Sequence, residues 1–269
     1  IRGLKLLDDS LDDSGNLEQL AERFGRLHQL IIQAPLQYLL IGEGERLDQA
    51  SAELEQAWSD IEAEDGDFTA FAPQAVQQQV REAWLANSQV NFCAKAYSTV
   101  PMEHADAPAL SVLAGFLRNG YLHRAIREQG GAYGGGASHD SDNAAFRFFS
   151  YRDPRLEETL ADFDSAIDWL LGGKHEWRLV EEAILGVISS IDRPGSPAGE
   201  AKDAFFSGLY GRTPERRQDY RQRVLAVTLD DLQRVGDTYL KPEKASVAVI
   251  GGPSNEQRCK DLGLDIKIL

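Results

Sequence analysis

Apolar residues at helical spacing mark the first part of the chain. Between residues 17 and 33 they recur every three or four positions, which predicts an amphipathic helix that ends before Pro35. The apolar run 37–41 predicts a short strand, and further helices are expected around 47–58 and 73–86. The first apolar stripe consists of Leu17, Leu20, Phe24, Leu27 and Ile31.

Apolar and small residues then alternate with polar or larger ones between residues 89 and 97, which predicts a half-buried strand. The apolar segment 110–117 predicts a buried helix, and a more polar helix is expected over 121–128. The two faces of the strand hold Val90, Phe92, Ala94 and Ala96 on one side and Asn91, Cys93, Lys95 and Tyr97 on the other.

A hairpin and a helical region follow. Strands are expected over 132–138 and 144–151, on either side of a polar turn. Asp153-Pro154 has the pattern of a helix start, and helices should continue to about residue 239 with a turn at 193–197. Within this region Thr228-Leu229-Asp230-Asp231 is typical of a capping box with Asp in place of Glu.

A strand over 245–251, followed by a short helix, completes an order of elements that predicts an α+β fold. We expect an antiparallel or mixed sheet covered by helices on one face. Residues 1–34 are interpreted as the helical tail of a preceding domain or a linker, and residues 35–269 as one α+β domain. Since Met102 is the only methionine, we expect the chain to be part of a longer polypeptide.

The charge of the chain narrows the choice of partners. Its 28 basic and 43 acidic residues give a formal charge of −15, without a basic stripe, so nucleic acid is not an expected partner. No apolar stretch approaches the roughly 18 residues of a membrane span. Cys93 and Cys259 form no C-x-x-C pattern, which favours a reducing compartment.

The five histidines do not form a zinc motif. His28, His104, His123, His139 and His175 occur neither in H-E-x-x-H nor in H-x-x-E-H, the spacings that direct two imidazoles to one metal. We therefore expect no metal site in this chain and place the histidines at the surface or at helix ends.

The glycine cluster 130–136 is the most unusual segment. It lacks the spacing of a dinucleotide-binding loop, and Gly115 to Gly120 lacks the lysine of a phosphate loop, so an unrelated nucleotide-binding domain is a weak alternative. The glycines could serve only to end a helix and to allow positive φ before a strand. They could also let a peptide backbone approach closely, with Arg127 donating to its carbonyls and Tyr133 donating to an oxyanion.

Residues 115–122 (GFLRNGYL) and 126–134 (IREQGGAYG) resemble the C-terminal half of presequence proteases, a branch of the pitrilysin/insulinase zinc peptidases. The resemblance is specific over about 25 residues. It implies that Arg127 and Tyr133 are catalytic and substrate-binding residues. It also implies that the backbone of Gly130, Gly131, Gly134 and Gly135 lines the substrate cleft.

The same resemblance implies partners and a cofactor. The missing N-terminal half of the polypeptide would bind zinc and close a chamber around short unfolded peptides, while this chain alone would be inactive. We expect a bacterial cytoplasm, with the mitochondrial matrix as the alternative. A different class of function is also open, since a catalytically inert half could serve only structure or assembly.

Overall fold

The computed structural model describes residues 2–59 and 78–269, which group into two compact units. The first unit includes residues 1–75 and 194–213, and the second includes 76–193 and 214–269. The predicted division after residue 34 stays a prediction, because compact units report packing within this chain rather than the domains of a longer protein.

The first unit is helical in its described part. The exposed apolar stripe predicted between residues 17 and 33 lies on a helix that begins after the capping side chain of Asp13. The predicted strand at 37–41 is wrong: these residues belong to no strand, and no strand within residues 2–59 and 78–269 pairs with them. The helices are α1 (Arg2–Ser10), α2 (Ser14–Gln33), α3 (Gly44–Ala57) and α7 (Pro197–Leu209).

The second unit contains a six-stranded mixed sheet in the order β3-β4-β2-β5-β1-β6. Strand β1 runs parallel to β5 and β6, and the other pairs are antiparallel. The α+β layer fold with a mixed sheet is therefore confirmed. The strands are β1 (Arg81–Leu85), β2 (Asn91–Ser98), β3 (Gly134–Asp140), β4 (Ala145–Asp153), β5 (Ser246–Gly251) and β6 (Asp265–Ile268).

Helices cover one face of this sheet, and the core lies between the two layers. Phe148 of β4 stacks on Phe163, with 5.5 Å between ring centroids, and both side chains are fully buried. The helices are α4 (Ala107–Leu117), a π-helix (Arg118–Gln129), α5 (Glu157–Gly172), α6 (Trp177–Ile191), α8 (Pro214–Leu225), α9 (Leu229–Tyr239) and α10 (Glu256–Asp261).

Two predicted elements need correction. Residues 73–77 of the predicted helix 73–86 lie outside the described residues, and residues 81–85 form β1 instead, because strands β5 and β6 pair with both of its edges. Helix α5 begins at Glu157 rather than at Pro154. The Asp153 carboxylate is fully buried and accepts hydrogen bonds from Arg155 N and Thr159 Oγ1.

The alternating pattern of β2 is confirmed, and its polar-looking side is the buried one. Asn91, Cys93, Lys95 and Tyr97 face the helices, whereas Phe92 on the other side is 39% exposed. Lys95 is tolerated there because its Nζ lies 2.6 Å from an Asp164 carboxylate oxygen on α5. The capping box at Thr228 and Asp231 is also confirmed.

Candidate functional site

The π-helix and the hairpin β3-β4 together position Arg127 and Tyr133. The π-helix ends just before Gly130, and Ala132 N then donates to Ile126 O at 3.1 Å, which closes the helix end. Gly131 takes a φ of +78°, which turns the chain into β3. The seven residues from Arg127 to Tyr133 therefore form a tight corner between a helix and a strand.

Tyr133 is held by its backbone and its ring, while its hydroxyl faces solvent. Its N–H donates to Arg152 O at 3.3 Å, and its ring lies 5.7 Å from that of Tyr151 and 5.4 Å from the Arg152 guanidinium carbon. The side chain is 64% exposed, and its hydroxyl has no hydrogen-bond partner among residues 2–59 and 78–269. A donor in this setting is available to a ligand.

Arg127 is likewise exposed on the last turn of the π-helix. Its carbonyl accepts from Gly131 N at 3.1 Å, so the backbone beneath the side chain is fixed. No carboxylate pairs with its guanidinium in the described part of the chain. The Tyr133 hydroxyl and the Arg127 guanidinium thus both face solvent, without a polar partner in the described chain, at one corner of the fold.

The glycines at this corner make room for side chains of the same chain. A Cβ on Gly134 would lie 2.5 Å from the Tyr151 ring, and one on Gly135 would lie 2.9 Å from both Ile126 Cγ2 and Phe149 O. A Cβ on Gly130 would lie 2.0 Å from Arg155 Nη2. Internal packing therefore explains the absence of side chains at Gly130, Gly134 and Gly135.

Arg155 is a supporting residue that the sequence analysis did not identify. Its Nη2 donates to Ala125 O at 3.1 Å and to the Asp162 carboxylate at 2.8 Å, which ties the π-helix to α5. The signal that could have found it is the Asp153-Pro154-Arg155 sequence directly after the hairpin, although nothing local reveals its partner. Arg155 stabilises the corner that carries Arg127.

The histidines depart from the expected surface positions in one case. His175 does lie at a helix end, where its Nε2 is 3.0 Å from Trp169 O. His139 of β3 is half-buried instead, and its Nδ1 lies 3.1 Å from Ser111 Oγ, which is 2.8 Å from the Tyr220 hydroxyl. Burial lowers the pKa of His139, against the opposing effects of the Val100 backbone and Asp140.

The described residues contain no group of three or more His, Cys, Asp or Glu side chains placed to hold a metal ion. The segment from Gly115 to Gly120 is not a phosphate-binding loop, because Gly115 lies in α4 and Gly120 in the π-helix. Among the described helices none is both long and apolar enough to cross a membrane.

Solved structures that share this fold include two proteins named as peptidases. A protease of Helicobacter pylori superposes with a TM-score of 0.61 over 78% of this chain and 53% of its own length, at 16% identity. Pitrilysin superposes with a TM-score of 0.56 over 83% of this chain and 25% of its own, at 14% identity. At such identities the likeness defines the fold, which is that of an α+β domain of pitrilysin-type peptidases.

The sequence narrows this class further. Residues 81–251 match the family model of the PreP C-terminal domain. The mitochondrial presequence protease of Mus musculus is 37% identical over 190 residues, which are 70% of this chain and 18% of the mouse protein. The chain belongs to the PreP C-terminal domain family, as its residues 115–134 predicted. It spans less than a fifth of the length of the mouse relative.

Proposed function

We propose that this chain is the non-zinc-binding C-terminal portion of a zinc metalloendopeptidase that degrades short unfolded peptides. Its relatives are presequence proteases, which supports a peptidase as the class of the whole protein. The missing N-terminal half would complete a chamber around the peptide, and this chain alone would be inactive. The mouse relative is mitochondrial, which favours the mitochondrial matrix; the expected bacterial cytoplasm finds no support.

Zinc would be held by the N-terminal half, as the resemblance to presequence proteases implies, since the sequence of this chain contains neither H-E-x-x-H nor H-x-x-E-H. When bound there, the metal supplies Lewis-acid polarisation of the scissile carbonyl. The role left to this chain is to hold the peptide and to stabilise negative charge that develops during cleavage.

The observation that carries the proposal is the pair of unengaged donors at the corner between the π-helix and β3. The exposed Tyr133 hydroxyl would donate to the oxyanion of the tetrahedral intermediate, and the Arg127 guanidinium would donate to main-chain carbonyls of the peptide. Strand β3 is also an edge strand of the sheet, and an edge can pair with an extended peptide. The backbone from Gly130 to Gly135 would then line the cleft.

Substitution of Tyr133 in the full-length enzyme tests this role. Tyr133→Phe keeps the ring contacts with Tyr151 and Arg152 but removes the donor, so we expect kcat to fall about 100-fold with KM within about two-fold, as for the loss of one oxyanion donor. Tyr210→Phe is the matched control, because Tyr210 is 71% exposed and also has an arginine 5.4 Å from its ring centroid. Equal kcat in the parent and Tyr133→Phe enzymes would remove Tyr133 from the mechanism.

The alternative of a catalytically inert assembly half makes a different prediction. It requires that the full-length protein lack H-x-x-E-H and fail to cleave any unfolded peptide, whatever residue stands at position 133. This chain shares its family with proteins that are named as proteases, which favours a working enzyme over an inert assembly half.

A further inference from the structure

Arg118 and Arg127 lie on the same flank of the π-helix, because this helix is wound more widely than an α-helix. Its residues bond five positions apart, with about 4.4 residues per turn. The nine-position separation between Arg118 and Arg127 therefore corresponds to about two turns. In an α-helix of 3.6 residues per turn the same two side chains would point in opposite directions.

The side-chain stem of Arg118 passes the free edge of β3. Neighbouring strand residues point to opposite faces of a sheet, so Gly135 and Gly136 face opposite sides. A Cβ on Gly135 would meet Ile126 of the π-helix, whereas one on Gly136 would lie 3.0 Å from Cγ and Cδ of Arg118 in the same helix. Since β4 occupies the other edge of β3, the Arg118 stem can reach Gly136 only around the free edge.

Arg118 also lies close to the corner that carries Tyr133. Gly134 and Gly136 point to the same side of β3 and are about 7 Å apart along the strand. The Tyr151 ring covers Gly134 and contacts the Tyr133 ring, and the Arg118 stem covers Gly136. The Arg118 stem therefore lies over the same side of β3 as the Tyr151 ring, two residues further along the strand.

The charge of Arg118 is not neutralised within the described part of the chain. Its Nε donates at 3.3 Å to the neutral side-chain amide of Asn119, and the residue is exposed. Several other arginines of this acidic protein are paired with carboxylates, as Arg155 is with Asp162 and Arg234 with Asp106. An exposed guanidinium whose stem covers Gly136 can bind an anionic group of a ligand.

We propose that Arg118 is a further substrate-binding residue, which pairs with a carboxylate of the bound peptide at the end of the β3 edge. This inference rests on the proposed function, because it takes the peptide to lie along that edge. The carboxylate can come from the peptide C-terminus or from an acidic side chain, and both present the same chemistry to a guanidinium.

The test uses the full-length enzyme and a set of fluorogenic peptides of one length. One pair differs in a C-terminal acid or amide, and a second pair differs in Glu or Gln at one internal position. For the parent enzyme we expect a KM about five-fold lower for the carboxylate member of at least one pair, the scale of one partly exposed ion pair. The pair that shows this difference identifies the source of the carboxylate.

Arg118→Gln should abolish that difference by raising KM for the carboxylate peptide alone, because glutamine retains the Cγ and Cδ that cover Gly136. Arg118→Lys should retain part of the KM difference between the carboxylate and the neutral peptide. Arg124→Gln is the matched control, since Arg124 is also an exposed arginine of the π-helix without a carboxylate partner in the described chain and lies on a different flank. It should leave the KM ratio unchanged.

Two results would overturn the role of Arg118: equal KM within both peptide pairs for the parent enzyme, or a KM ratio that Arg118→Gln leaves intact. Failure of the proposed function is recognised separately with the neutral peptide. If Tyr133→Phe and Arg127→Gln both cleave the amide or Gln peptide as the parent does, the site itself is wrong.

Discussion

Replacement of Gly130 by alanine is predicted to loosen the corner that carries Arg127 and Tyr133. The backbone of Gly130 has φ −82° and ψ −23°, which alanine adopts without strain. The obstacle is steric: the added Cβ would lie 2.0 Å from Arg155 Nη2 and 2.4 Å from Ile126 O. The Arg155 guanidinium must therefore move, whereas the Ile126 carbonyl belongs to the backbone and cannot be displaced without moving the chain.

The magnitude follows from the hydrogen bonds that Arg155 would lose. Its Nη2 donates to Ala125 O and to the Asp162 carboxylate, at side-chain exposures of 25% for Arg155 and 21% for Asp162. A hydrogen bond to a charged group contributes about 1.5–3 kcal/mol, and partial exposure favours the lower limit. Loss of both bonds should lower the free energy of unfolding by about 3 kcal/mol.

Chemical denaturation of the parent, Gly130→Ala, Arg155→Ala and the double variant measures this effect and its origin. Since both substitutions remove the same two hydrogen bonds, their costs should be strongly non-additive. Gly186→Ala is the control: it lies in α6 with nothing within 4 Å of its Cβ, and it should stabilise by about 0.5–1 kcal/mol. An unchanged free energy of unfolding for Gly130→Ala would refute the packing of Arg155 on this glycine.

Three further predictions concern neighbouring features. Gly131→Ala should destabilise by about 1–2 kcal/mol because of its φ of +78°, and Gly131→Asn should cost less; denaturation curves that match the parent for both would contradict this. Burial lowers the pKa of His139 below its usual 6.5, so the unfolded chain binds the proton more readily. Stability should therefore fall as pH drops from about 6.5 towards that lowered pKa, by at most about 1.4 kcal/mol per pH unit, and His139→Asn should remove this part of the denaturation profile. Burial also raises the pKa of the Cys93 thiol to about 12, so a maleimide at pH 8 should label Cys93 only after unfolding, as peptide mass spectrometry would show.

Where contacts are local, the sequence was sufficient to predict the structure. Turn residues and apolar spacing within a few positions predict the hairpin and the helical region that follows it. Capping residues in the same way predict the capping box at Thr228. The corner from Arg127 to Tyr133 was found in the same way, since both residues and the glycines between them belong to one short segment. The absence of a zinc motif is also a local property.

Tertiary structure decided what depends on distant residues. Strand β1 was mistaken for a helix because its identity comes from pairing with β5 and β6, more than 160 residues later. Likewise, the buried side of β2 is set by the helices that cover it and by Asp164, not by its own alternation. The positions of Arg155 over Gly130 and of Arg118 over Gly136 arise where the hairpin, the π-helix and α5 meet, and no sequence spacing encodes such contacts.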